Sequence, residues 1–348
     1  MESPNPQHAQ TSMALAMLVE LCAQESPSGK ESGILKPLLP MLERLGAAVE
    51  VREPVRGRCN VLATWGEPKV LFSTHLDTVP PFLPVRVEGN RVYGRGACDA
   101  KGQIVAQLLA IETLLAQGKT GFAWLGVAGE ETDSLGAQDA LRWRDRFLQC
   151  RALINGEPTE LKLGTGQRGL ESVVLCCKGQ AAHSGSPELG RSAILDLFSW
   201  IQSIQARPGP VDPQLGPEVW NLGTIQGGEA VNVVPAHAEA RILARTVPGT
   251  TFWESLMGFQ PEGASVESIL SEPWDRYPEI PGFEHAPMPF GSDAPRLRKL
   301  IPDQTVVLAG PGSIRVAHTD DEHIDLEDLT AGIELNLRLA SHFMEDQP

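Results

Sequence analysis

The chain has 348 residues, 42% of them hydrophobic and 21% charged, the composition of a globular protein too long for one comfortable core. One large and one smaller domain is therefore the first expectation. A formal net charge of -15 excludes nucleic acid and anionic membrane as main partners, since both require a concentrated basic surface.

The opening, MESPNPQHAQTSMALAMLVELCAQ, is polar and acidic before a short amphipathic helix. It lacks the basic start and apolar block of a secretion signal, and no apolar run is long enough to span a bilayer, so a cytoplasmic protein is expected. The six cysteines, at 22, 59, 98, 150, 176 and 177, form no Cys-x-x-Cys pair and read as small buried hydrophobes in a reducing compartment.

Helical periodicity runs through MALAMLVELCAQ and ILKPLLPMLERLGA, with Gly46 as a stop before the strand AAVEVREP. NVLATWG and KVLFSTHLDTV read as strands, the second buried on both faces. A turn-rich stretch then leads to the helix QIVAQLLAIETLLAQG, ended by Gly118, followed by the strands GFAWLGVAG and RALINGEPT. This alternation predicts a mostly parallel sheet covered by helices.

From about residue 167 the texture changes. ESVVLCCKG and EAVNVVPAHAEARILARTV read as strands separated by the helix SAILDLFSWIQSIQ, which fits a smaller open-faced α+β sandwich. The Pro-rich EPWDRYPEIPGFEHAPMPFG crosses back, and TVVLAGPGS with DLEDLTAGIELNLRLASHF resumes the strand-then-helix pattern. The expected organisation is an α/β domain built from residues 1–166 and 284–348, with residues 167–283 inserted as the second domain. GTGQRG, residues 164–169, matches G-x-G-x-x-G, but a strand follows it in mid-chain, so no dinucleotide site is expected.

Candidate ligands fall at the ends of the expected buried strands, where open α/β sheets bind their ligands. His75 and Asp77 end VLFSTHLD, Asp99 lies in GRGACDAKG, Glu130 and Glu131 follow GFAWLGVAG, Glu157 ends ALINGE, and His318 follows a glycine turn. Singly, His75 reads as a core histidine, Asp99 as a helix cap and Glu157 as a solvated turn acid. Jointly these explanations are strained, because two histidines and several carboxylates make a mixed nitrogen and oxygen set that suits zinc, cobalt or manganese. Five protein ligands exceed what one catalytic zinc takes, so two metals sharing a carboxylate is the economical arrangement. Asp77, two residues from His75, is placed to accept the other ring N–H of that histidine.

In this order, HLDTVP, GRGACDAKG, GEET, GEPT, GQAAHSGSPELGRSA, GGEAVNVVPAHAEARILART and GPGSIRVAHTDDEHI resemble the successive signatures of the M20 metallopeptidases, dinuclear zinc deacylases and exopeptidases. The resemblance covers residues 60 to 325, and implies a zinc-exopeptidase-like catalytic domain with an inserted, ferredoxin-like dimerisation or lid domain. His75 and Glu157 would hold one metal, Glu131 and His318 the other, and Asp99 would bridge both. The cofactors implied are two divalent ions, Zn2+ first and Co2+ second. Asp77 would support His75, and Glu130 would be the general base.

His183 matches a histidine that reaches the partner subunit's active site and stabilises the oxyanion, which implies a homodimer formed through the inserted domain. Asn232 would support the same oxygen. Arg245, with Arg241 as the less secure candidate, would grip a substrate α-carboxylate, and Gly291 would offer backbone contact near the substrate. Cys98 and Ala100 depart from the family pattern around Asp99 without removing a ligand. The C-terminal signatures look most like the acetylornithine and acetyl-lysine deacetylase branch, which implies removal of an acetyl group from a small N-acyl amino acid. Succinyl-diaminopimelate desuccinylase, general aminoacylase or dipeptidase activity is the runner-up, and a non-catalytic metal-binding regulator is the alternative of another class.

Overall fold

The computed structural model describes residues 6–345. The polar opening, residues 1–5, lies outside the described residues.

Helix α1, Pro6–Cys22, buries Ala14, Met17, Leu18 and Leu21 on one helical stripe. Helix α2, Leu35–Arg44, ends before Gly46, whose φ of 72° is the left-handed conformation that only glycine adopts without strain. Strands β1, Ala48–Val55, and β2, Arg58–Trp65, follow as a hairpin, then β3, Val70–His75. Helix α3, Lys101–Ala116, leads to β4, Phe122–Val127, and β5, Ala152–Asn155. Next come β6, Gly169–Lys178; α4, Ala193–Gln205; β7, Val219–Gly227; β8, His237–Thr246; α5, Phe252–Gly258; and β9, Ser265–Glu272. Strand β10, Thr305–Leu308, and helix α6, Leu326–Met344, complete this set.

Contacts divide the chain into two compact units. The first comprises Met1–Thr165, Tyr277–Ala286 and Ser292–Pro348; the second comprises Gly166–Arg276 and Pro287–Gly291. The return segment is therefore more broken than a single crossing near residue 283. Tyr277 donates its N–H to the Thr165 carbonyl and Leu163 donates to the Glu284 carbonyl, which ties residues 277–286 to the first unit.

The sheet of the first unit has the order β1-β2-β4-β3-β5-β10. Its centre is parallel, in the pairs β3/β4, β3/β5 and β5/β10, while the hairpin adds an antiparallel edge through β1/β2 and β2/β4. Every residue of β3, β4 and β5 is buried, as expected of parallel strands covered on both faces. Helices α1, α3 and α6 pack on one another, and α3 and α6 reach β3. The parallel strands all end on the same side, and that edge carries the site.

The second unit is an antiparallel sheet, β7-β8-β6-β9. Period-two alternation sends Val173, Leu175 and Cys177 of β6, with Ala238, Ala240, Ile242 and Ala244 of β8, into a core against Leu197, Trp200 and Ile204 of α4 and Phe252 and Leu256 of α5. Strands β7 and β9 are the sheet's edges, and VWNLGTIQG and SVESILSE do not alternate cleanly enough to announce them. The segment expected as one strand from Glu229 begins its ladder only at His237; Pro235 has no N–H to donate, and upstream Val233 makes an isolated bridge to His183. GTGQRG runs from the strand Leu163–Gln167 into β6 with no helix after it.

Candidate metal centre

His75 is the last residue of β3, Glu130 and Glu131 follow β4, and Glu157 follows β5 by two residues. Asp99 sits two residues before α3, and the Asp99–Ala100 peptide is cis. His318 lies beyond β10 with a φ of 63°, an unusual conformation for a side-chain-bearing residue, of the kind found where a local site holds the backbone. Strand β4 stops at Val127, and Gly129, at φ 77°, turns the chain so that two adjacent acids face one site. A side chain there would be strained by the positive φ and would displace the Arg58 guanidinium, whose Nη2 stands 1.8 Å from where a Cβ on Gly129 would lie. Arg58 in turn grips Asp133 with two bonds of 2.7 and 2.6 Å, bracing the turn from behind.

The ligand atoms converge in two groups. Those of His75, Asp99 and Glu157 lie within 4.8 Å of one another, as do those of Asp99, Glu131 and His318. Asp99 belongs to both and divides its oxygens: Oδ1 is 2.8 Å from His75 Nε2, while Oδ2 is 3.5 Å from His318 Nε2. Glu131 Oε1 is 2.9 Å from the same His318 nitrogen. Glu130 is in neither group. The first group is buried; the second opens outward, with the His318 side chain 48% exposed against 1% for His75.

Asp77 acts on more than the histidine. With Nε2 of His75 turned toward Asp99, Nδ1 is 2.9 Å from the Asp77 main-chain carbonyl, whereas the nearer carboxylate oxygen is 3.5 Å away. The carboxylate instead accepts from the backbone N–H groups of Gly129, Glu130 and Glu131 at 3.0, 3.1 and 3.2 Å, and from Ser28 Oγ at 2.7 Å. One residue thus fixes both the imidazole tautomer and the acid-bearing turn.

The charges explain what the pocket is suited to hold. Burial, and then the Glu157 carboxylate, push the Glu130 pKa well above the ordinary range; burial does the same for Glu157, with Asp99, Glu131 and Asp293 adding to it. Burial also raises Glu131. Burial opposes ionisation of Asp99, but hydrogen bonds from His318 and His75 outweigh it and hold its pKa below the usual carboxylate range. His318, bonded to Asp99 and Glu131, is raised to about 10. Carboxylates so crowded repel one another unless cations stand among them, and paired nitrogen and oxygen donors fit divalent ions of the zinc and cobalt type.

Four contributors carried no assignment in the sequence. Ser28 holds Asp77. Asn155 donates to Glu157 Oε1 at 3.3 Å while accepting from Ser73 at 2.6 Å. Glu322 is buried and ties down the Asp99 loop: Oε1 accepts from the N–H groups of Gly96, Cys98 and Asp99 at 2.9, 3.2 and 3.1 Å, and Oε2 from Arg95 at 2.6 Å. Asp293, also buried, lies near enough to raise both Glu130 and Glu157.

The remaining candidates stand in the second unit. His183 and Asn232 are exposed and adjacent: His183 bridges Val233, and Ser184 N–H donates to the Asn232 carbonyl at 3.0 Å. Arg241 and Arg245 share the face of β8 turned away from the helices, by period-two spacing. Nη1 of Arg245 comes within 3.6 Å of where a Cβ on Gly291 would stand.

Among the described residues, no helix is long and apolar enough to cross a membrane. A family profile for peptidase family M20/M25/M40 matches residues 71–342. A Peptidase M20 domain-containing protein of Schizosaccharomyces pombe is 34% identical over 330 residues, covering 91% of this chain and 80% of the relative. A probable carboxypeptidase of Aspergillus terreus is 35% identical over 320 residues, covering 81% and 73% respectively. Among solved structures, the aminopeptidase PepT of Bacillus cereus shares the fold, with a TM-score of 0.79 at 21% identity over 96% of this chain and 99% of that one.

Proposed function

As a member of peptidase family M20/M25/M40 the chain is a metal-dependent hydrolase, and we propose that it removes an N-acyl group, acetyl first, from an amino acid such as N-acetylornithine or N-acetyl-lysine. The observation that carries the hydrolytic part is the pair of ligand groups sharing Asp99, with Glu130 beside them and in neither. His75, Glu157 and Asp99 would hold one ion and Asp99, Glu131 and His318 the other, Zn2+ before Co2+. Such ions supply Lewis acidity toward the scissile carbonyl and bring the pKa of water to about 7.

Glu130 then has the proton work. Desolvated beside both ligand groups and belonging to neither, its carboxylate is free to take a proton from the attacking water and to deliver it to the leaving amine. Asp77 keeps Glu130 and Glu131 in register, so that one binds and the other transfers protons. His183, acting from the partner subunit, donates to the developing oxyanion, with Asn232 supporting it. Arg245, with Arg241 as the second candidate, pairs with the α-carboxylate, and Gly291 offers backbone contact there.

The acetyl and cationic side-chain assignments rest on the resemblance of FGSDAP and GPGSIRVAHTDDEHI to the acetylornithine and acetyl-lysine branch. The similarity to the probable carboxypeptidase of Aspergillus terreus favours a second reading, carboxypeptidase, in which the acyl group is a peptide and the bond and free α-carboxylate are the same kind. Desuccinylase, aminoacylase and dipeptidase activities are variants of that bond class.

A homodimer is supported by the outer edge of β7, where Leu222 and Ile225 are exposed, and by α4, where Leu195 and Phe198 are exposed. A cytoplasmic location and a small-molecule substrate complete the proposal. The test is a hydrolysis panel with zinc or cobalt: N-acetyl-ornithine, N-acetyl-lysine, N-succinyl-diaminopimelate, neutral N-acetyl amino acids and short peptides. Preferred turnover of the acetylated cationic substrates supports the proposal, preferred release of C-terminal residues supports the carboxypeptidase reading, and no turnover with metals bound supports a regulatory protein.

A further inference from the structure

We propose a separate metal site on the open face of the second unit's sheet, formed by Cys176, His237 and Glu239. Their ligand atoms lie within 4.8 Å of one another, and Cys176 Sγ is 3.2 Å from His237 Nε2.

The ladder makes this grouping firm. His237 and Glu239 are two apart on β8, so both point to the face away from the helices, while Cys176 on β6 is the direct register partner of Glu239. The neighbouring Ala238, Ala240, Leu175 and Cys177 are buried in the helix-covered core, so a register slip that scattered the three donors would also bring core side chains into solvent. Glu239 has its own support: Gln226, opposite it on β7, donates to Oε1 at 2.6 Å and orients the carboxylate, as outer partners of metal ligands do.

The donor set names the class of ion. Thiolate, imidazole and carboxylate together suit zinc, nickel, copper or cobalt and do not suit calcium or magnesium, which take oxygen ligands. Three protein ligands at partly exposed positions leave coordination positions open to solvent. None of the three belongs to the candidate dinuclear centre, where all donors are nitrogen and oxygen.

That difference supplies the experiment. Cobalt(II) is titrated into the full chain while visible d–d bands report all bound cobalt and a near-ultraviolet thiolate-to-cobalt charge-transfer band reports this site alone. The band is expected to saturate at a single cobalt per chain, to vanish in Cys176→Ser, and to require about 10-fold more cobalt in Gln226→Leu. Hydrolytic activity of Cys176→Ser should match the parent. His237→Gln, which keeps the thiol, should also weaken the band and guards against misfolding of the cysteine variant. Visible bands without the thiolate band, or a band that survives in Cys176→Ser, would overturn the proposal while leaving the dinuclear centre standing. A thiolate band without hydrolysis would uphold this site and count against the other.

Discussion

Changing Glu322 to glutamine should separate the two tasks of that side chain. The amide oxygen can keep the place of Oε1 and still accept from Gly96, Cys98 and Asp99, while the NH2 group turns a donor toward the Arg95 guanidinium that Oε2 accepts at 2.6 Å. Arg95 is only 2% exposed, so its charge is stranded, at a cost of about 3–5 kcal/mol for breaking a buried pair from one side. Glu322→Ala also orphans three N–H groups, which adds about 1–3 kcal/mol for each left unsatisfied and approaches the whole stability of an ordinary domain. Urea unfolding of metal-free protein measures the loss, and titration calorimetry measures zinc affinity. Glu322→Gln should unfold at lower urea yet retain zinc binding, and adding Arg95→Met should recover most of the stability by removing the stranded charge. Parent-like stability of Glu322→Gln, or a double variant no better than the single, would refute this account.

Glu130→Ala should keep both metals and lose about 10²- to 10⁴-fold in turnover, while Glu131→Ala should lose metal on the His318 side; metal analysis beside kinetics separates them. Metal binding should release protons. Metal-free His318, raised to about 10, is protonated near neutrality, so zinc affinity should climb with pH until that value, and calorimetry in buffers of different ionisation enthalpy should show the release. The same sign applies to folding without metal: the His318 contribution is full below about 6.5, the ordinary histidine value, and is lost as pH rises through about 10. Ile225→Lys should place a charge on the free edge of β7 and shift sedimentation from dimer to monomer, with activity falling alongside if His183 serves the partner; a fully active monomer would count against that role.

The parallel α/β unit was legible because strands buried on both faces read as apolar runs, and the donors at their ends are chemically conspicuous. His75, Asp99, Glu131, Glu157 and His318 could be picked out as types before their geometry was known. Their supports could not. Glu322 bonds to a loop more than 220 positions away in sequence, and nothing in DDEHI sets it apart from its acidic neighbours. The Asp77 carboxylate, expected beside the imidazole, lies 3.5 Å from it and also accepts from the Gly129–Glu131 turn, whose three converging N–H groups require an acceptor that the sequence does not announce. Edge strands β7 and β9 stayed hidden because most of their residues are exposed on either face, so no buried side imposes an apolar alternation on them.

The unequal shelter of the two histidines bears on how metal would come and go. Behind His75 an ion could leave only through a buried wall, whereas beside His318 it would meet water directly. Exchange should therefore run at two speeds: a chelator strips the outer position first, and a second element supplied afterwards settles there. Brief chelation followed by cobalt would then give a mixed zinc–cobalt enzyme whose colour comes from the His318 side alone.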